Sequence, residues 1–288
     1  MSNNDSEHTA RSKVLVALDG SPAAATALPL ARVVARQLGA RLEALHVTDD
    51  AARAAEVLPQ LQHVLEETEP IQLRAPVHDP AAGILEAAAD PNVVLLVLTT
   101  HGRAVEPGRQ LGRVAEAVIA ATSRPIIVVR PEAAAAMGAR ELQRLLLPLN
   151  GTPTTAAALR PVIELAGQLG ASIDLLYVAA PHQAAAEEPG SIGAPRYVDQ
   201  PQHEWPQWAQ EVIERLCACL AQYPTEVPVR MYLAQGEIGA EIARFAATHG
   251  ADAIVLVRRS HLEAGRARVL RAVLGHTPCP VLLVGAPA

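Results

Sequence analysis

Lys13-Val14-Leu15-Val16-Ala17-Leu18-Asp19-Gly20-Ser21-Pro22 is an apolar run that enters a turn, and Arg144-Leu145-Leu146-Leu147-Pro148-Leu149-Asn150-Gly151-Thr152-Pro153 repeats the arrangement. A short apolar run closed by turn residues reads as a strand leading to a helix start. The correspondence extends outward. Leu38-Gly39-Ala40 returns as Leu169-Gly170-Ala171 and His46-Val47 as Tyr177-Val178, all at one offset, 150 − 19 = 169 − 38 = 177 − 46 = 131. A constant offset across a strand end, a helix end and the next strand points to duplication of a whole domain. Farther on, Val77-His78-Asp79 aligns with Gln235-Gly236-Glu237 at an offset of 158, and Pro125-Ile126-Ile127-Val128-Val129 with Pro280-Val281-Leu282-Leu283-Val284 at 155. The second copy has therefore gained a segment in its middle and lost about three residues near its end.

The 288 residues accommodate two domains, each of a size that buries its own core. The reading is a flexible tail over 1–12, a first domain over 13–131, a linker over 132–141, whose Ala-rich start reads as linker or a short helical turn, and a second domain over 142–288. Half of the residues are hydrophobic but only 2% are aromatic, so the cores must be built from Ala, Val, Leu and Ile. A formal charge of −6 gives no drive toward nucleic acid or an anionic membrane. The polar tail lacks the basic start and apolar stretch of a secretory signal. Apolar runs such as residues 93–98 are far shorter than the roughly 20 residues a bilayer needs. Cys217, Cys219 and Cys279 show no metal or disulfide spacing, and a reducing cytoplasm is expected.

In the first half, strands are predicted over 13–18, 41–47, 71–77, 93–99 and 126–129, alternating with helices over 23–38, 51–67, 80–89 and 112–122. Ser21 is read as an N-cap with Pro22 at the first helical position, and Gly39 as the helix stop. The second half repeats the series with strands over 144–149, 172–178, 227–234, 252–257 and 281–284 and helices over 154–169, 206–223, 240–249 and 267–274. Strands apolar on both faces and spaced by helices imply a parallel sheet covered on both sides. The fold class is thus α/β, two tandem Rossmann-like domains, each a five-stranded parallel sheet with helices on both faces. The closing strands at 126–129 and 281–284 would be exposed apolar edges, so the halves are expected to pair as an intramolecular pseudo-dimer. The gained segment, residues 179–204, carries several Pro and Gly and reads as a long surface loop.

Taken in this order, and twice, these residues resemble the universal stress protein family in its tandem form. The resemblance rests on Asp19-Gly20-Ser21, on Leu38-Gly39-Ala40 before a strand ending His46-Val47, and on the Thr100-His101-Gly102-Arg103 loop. The closing stretch from Ser123 to Val129, echoed from Thr277 to Val284, completes it. Nucleotide-binding members carry a loop of Gly, two residues, Gly, nine residues, Gly, then Ser or Thr. Backbone N–H groups of such a loop, opening a helix, face phosphate oxygens. Here Thr99 stands at the first Gly position, Gly102 at the second and Gly112 at the third, with Arg113 at the Ser or Thr position; Pro107 removes one donor from the loop. The resemblance further implies that Asp19 and Val47 face the adenosine part of ATP or AMP. The competing reading of Asp19 is that it only caps the following turn.

In the second half Asn150 replaces the acid, while Val257, Ser260, Ala267 and Arg268 fall at the four loop positions, and none matches. Any nucleotide is therefore expected in the first half. Arg258, Arg259, Arg266, Arg268 and Arg271 form a local basic cluster, read as a solvated helix face or as an anion site. The ten histidines show no metal spacing, and no metal is expected. His101 is read as structural, and His182 and His203 as incidental. A nucleophile elbow, a Walker loop with its Lys and a Cys-x-x-Cys pair are all missing. The leading functional reading is a non-enzymatic stress-response or regulatory protein with adenine-nucleotide binding confined to domain 1. Two alternatives stay open: a slow ATP-hydrolysing enzyme using the domain 1 crevice, and an interaction module whose 179–204 loop, near Tyr197 and Trp205, contacts a protein partner. Higher oligomers are also left open.

Overall fold

Ser21 has extended backbone and its side chain accepts from Ala24 N, with Pro22 at the first helical position. The helix that it opens is interrupted where the sequence predicts continuity. α1 (Pro22–Ala25) ends in a turn at Thr26 and Ala27, and α2 (Leu28–Gln37) restarts after it. Pro29 is the reason: it has no N–H to donate, and its ring clashes with the preceding turn of a continuous helix. Gly39, at φ 61°, then reverses the chain into the next strand.

The computed structural model describes residues 12–66, 69–74, 79–102, 110–149, 155, 158–179, 214, 226–258 and 264–285. In the first repeat the further elements are β1 (Lys13–Ala17), β2 (Arg41–Val47), α3 (Ala51–Val64), β3 (Ile71–Arg74), α4 (Pro80–Ala88), β4 (Val93–Thr99), α5 (Arg113–Ala121) and β5 (Ile126–Val129). The 132–141 linker overlaps a helix, α6 (Pro131–Met137), because Pro131 suits a first helical position and the Ala-rich run favours helix until Gly138 at φ 57°. The second repeat has β6 (Arg144–Leu149), α7 (Leu159–Leu169), β7 (Ser172–Ala179), β8 (Val229–Gln235), α8 (Ile238–His249), β9 (Ala253–Arg258), α9 (Ala264–His276) and β10 (Val281–Gly285). The tail over 1–11, the loop over 180–204 and the helix predicted over 206–223, Glu214 excepted, lie outside the described residues. No helix among the described residues is long and apolar enough to cross a membrane.

The chain divides into two compact units, the first holding the described residues up to Glu141 together with Cys279–Leu283, the second starting at Leu142. In the first unit the strands lie in the order β3-β2-β1-β4-β5, all parallel, and β10 follows β5 antiparallel, with Val281 opposite Val128 and Leu282 opposite Ile127. The expectation of two separate five-stranded parallel sheets is thereby corrected: the closing strand of the second repeat is the sixth strand of the first unit. The expected pairing of the two closing strands is present. All four residues of β5 are buried and β-branched, and such an apolar edge gains its missing ladder hydrogen bonds from β10. In the second unit the order is β9-β6-β7-β8, again parallel.

The core is built from the expected small set. Ala, Val, Leu and Ile fill it among the described residues, with Tyr177 and Phe245 as its aromatic members. In the first unit the chain runs outward from β1 through β2 to β3, then returns to the other side of β1 to place β4. Strand order therefore reverses between β1 and β4, and in an open parallel sheet a crevice forms beyond the carboxyl ends of the strands at that point.

Candidate functional site

The ends of β1, β2 and β4 and the start of α5 surround that crevice. β1 hands over to Leu18, whose N–H donates to Leu45 O at 2.8 Å, and Gly20 at φ 80° turns the chain away. The turn holds Asp19 in place: its Oδ1 accepts from Ser21 N at 2.9 Å. Beyond β4, Thr100 N donates to Val129 O at 2.9 Å, and Gly112 N returns to Thr100 O at 2.8 Å. That last bond closes the loop and brings the start of α5 beside the end of β4. Gly112 is the N-cap of α5 and offers no side chain to cap it. Its close approach matters, since a β-carbon there would lie 3.4 Å from Thr100 O.

The result is a cleft of about 380 Å³, and Asp19, Val47, Thr99, Gly102, Gly112 and Arg113 all line it. The six site residues predicted from sequence thus come together around one cavity of the size small-molecule sites have. Thr99 is buried, Val47 and Gly102 are half-buried, and Arg113 is exposed at the first residue of α5. Pro107 lies outside the described residues. His101 is half-buried, with Nδ1 at 3.1 Å from Thr100 Oγ1. Asp19 braces its own turn through Oδ1 and is among the residues that line the cleft.

The sequence reading missed other members of the wall. Pro80 and Ile84 of α4 add apolar surface; the Asp79-Pro80 helix start signalled the helix but not its approach to the crevice. His46 is buried, with Nδ1 at 2.7 Å from Leu18 O. A carbonyl only accepts, so Nδ1 carries the proton and ties the end of β2 to the end of β1.

In the second repeat, Asn150, Ser260 and Arg259 lie outside the described residues, and Ala267 and Arg268 fall on α9. Arg258 is at the end of β9 and is buried, not on a solvated helix face, and burial pushes its guanidinium below its ordinary value. Arg271 is exposed on α9. The described residues contain no group of three His, Cys, Asp or Glu placed to hold a metal ion.

A sequence model of the universal stress protein family matches residues 10–130 and, a second time, residues 141–285. The chain belongs to the universal stress protein family. None of the curated proteins compared with it matches significantly. Among solved structures, a universal stress protein from Archaeoglobus fulgidus DSM 4304 is similar over 96% of this chain and 97% of its own, at 15% identity and a TM-score of 0.62. A functionally unknown protein from Pseudomonas aeruginosa PAO1 is similar over 97% and 94%, at 14% identity and a TM-score of 0.60. These likenesses show a shared fold. A universal stress protein solved with cAMP covers 51% of this chain and 100% of its own, at 13% identity and a TM-score of 0.35. That likeness is too distant to carry its ligand to this chain.

Proposed function

We propose that this universal stress protein is a non-enzymatic stress-response regulator of the cytoplasm whose first-repeat cleft binds an adenine nucleotide, ATP or AMP. The observation that carries the reading is the convergence of Asp19, Val47, Thr99, Gly102, Gly112 and Arg113 on one cleft at the strand-order reversal. The cleft is electrostatically two-ended. The α5 N-terminus with Arg113 offers positive potential to phosphate, while Val47, Pro80 and Ile84 supply apolar surface for a base. In the second repeat the acid and both glycines are replaced, which confines the ligand to the first.

Phosphoryl transfer needs a metal-holding acid and a group that positions the nucleophile. Asp19 is engaged by Ser21 N–H and supplies one carboxylate; Arg113 stands in place of the Ser or Thr hydroxyl. Mass spectrometry of gently purified protein is expected to find adenine nucleotide, and magnesium-dependent hydrolysis is expected to stay at background. Robust hydrolysis that disappears in Asp19→Asn would reverse the assignment to a binding protein.

A further inference from the structure

The register of β1 on β2 ends with Ala17 opposite Leu45. Leu18 continues the seam with both of its backbone groups. Its N–H donates to Leu45 O at 2.8 Å, and its carbonyl accepts from Nδ1 of His46 at 2.7 Å. The His46 ring is buried, and its Nε2 is enclosed without a hydrogen-bond partner. An enclosed polar atom left unmet costs stability, so an apolar side chain would fill this place at lower cost. What the imidazole adds is the bond to Leu18 O. Each end of that bond adjoins a residue of the cleft: Leu18 precedes Asp19, and Val47 follows His46. Asp19 is in turn fastened to its own turn by Ser21 N–H at 2.9 Å. Ring, strand end and turn thus form one connected set. The second repeat has Tyr177 in place of His46 and Asn150 in place of Asp19, and the single side-chain donor of a tyrosine lies at the far end of its ring.

We propose that His46 is a positioning residue for the adenosine end of the cleft: its Nδ1–H closes the seam between β1 and β2 beyond Ala17 and Leu45 and holds Asp19 and Val47 at a fixed separation. A ligand then meets two strand ends that are already aligned, and ordering them before binding removes a cost that binding would otherwise bear. The ring acts through Leu18 O. The choice of adenosine rests on the function proposed above, whereas the tie between the strand ends does not.

Three measurements on the full chain test this. In ¹⁵N-labelled unaltered protein, the His46 proton is expected on Nδ1; a proton on Nε2 alone overturns the proposal. In ligand-free protein, amide exchange at Leu18 and Ser21 is expected to rise roughly tenfold in His46→Leu, which leaves Leu18 O unmet. It should return toward the unaltered rates in His46→Asn, whose side-chain amide presents a donor near the place of Nδ1. Unaltered exchange at both amides in His46→Leu, or a rise shared equally by β6 and β7, overturns the proposal. In calorimetric titration well below the melting temperature, where lost stability alone leaves affinity unchanged, adenosine is expected to bind roughly tenfold more weakly to His46→Leu and nearly as before to His46→Asn. Equal weakening in both variants would mean that the ring touches the ligand itself, and unaltered affinity in His46→Leu would make the tie purely structural; either overturns the proposal. If adenosine does not bind the unaltered protein, the proposed function falls and with it the ligand named here, while the tie between the strand ends stands or falls by the exchange rates.

Discussion

Where the strands begin, the two repeats carry the same device. Lys13 Nζ lies 3.2 Å from Glu43 and 2.8 Å from Asp90. At the equivalent place in the second repeat, Arg144 Nε lies 3.8 Å from Asp174, and the backbone N–H of Arg144 donates to Asp252 at 2.9 Å. Both strand-borne pairs keep the duplication offset, 144 − 13 = 174 − 43 = 131. Where the strands end, the repeats part: Asp19 becomes Asn150, His46 becomes Tyr177, Gly102 becomes Ser260 and Gly112 becomes Ala267. Duplication kept the end that holds each sheet together and let the crevice end change. The difference separates residues that hold the sheet from the residues of the cleft to which the proposed function gives a ligand.

The largest effects should come from the shared end. Lys13→Met leaves the buried Glu43 without its cation, and stranding one partner of a buried pair costs about 3–5 kcal/mol. Arg144→Met should cost less, about 1–3 kcal/mol, because the Arg144 side chain is 39% exposed and its contact with Asp174 is longer. Chemical unfolding of both variants checks the order, and a negligible loss for Lys13→Met would break the comparison. Next is Val128→Pro, which places an N–H-less residue in β5 opposite Val281. A loss on the order of 3 kcal/mol, with a lowered melting temperature, is expected; unchanged melting would count against the β5–β10 pairing.

A smaller effect sharpens the role of Lys13. The Lys13 ammonium, then the Asn92 N–H, hold the Asp90 carboxyl below its ordinary range. A carboxyl depressed in the folded state adds stability that is present above its unfolded value near 3.8 and is lost as pH falls through the folded value. Unfolding midpoints compared at about pH 5 and about pH 3 should therefore fall less in Asp90→Asn than in the unaltered protein. An equal fall in both would remove Asp90 from the account.

Much of this was legible in the sequence. The alternation of apolar runs and capped helices showed the α/β class, and the six cleft residues could be named because the resemblance to the universal stress protein family implies them; the strand-order reversal, which puts the ends of β1 and β4 side by side, accounts for their convergence. What stayed hidden depends on contacts between distant residues or on backbone chemistry that periodicity does not register. Pro29 split a helix whose apolar spacing runs unbroken, and α6 formed in a stretch whose Ala content fits linker and helix equally. Pro80 and Ile84 line the crevice from α4, which no loop motif includes, and His46, quoted only as part of a strand-end motif, lines it as well. The offset between Lys13 and Arg144 was visible in the letters, but only the sheet showed that each meets a carboxylate on the neighbouring strand.

On the proposed function, the first repeat alone holds a nucleotide. Calorimetric titration of the full chain with AMP should give one site per chain. Gly102→Val should abolish it and Ser260→Val should leave it intact. Two sites per chain, or a single site lost only in Ser260→Val, would contradict the claim.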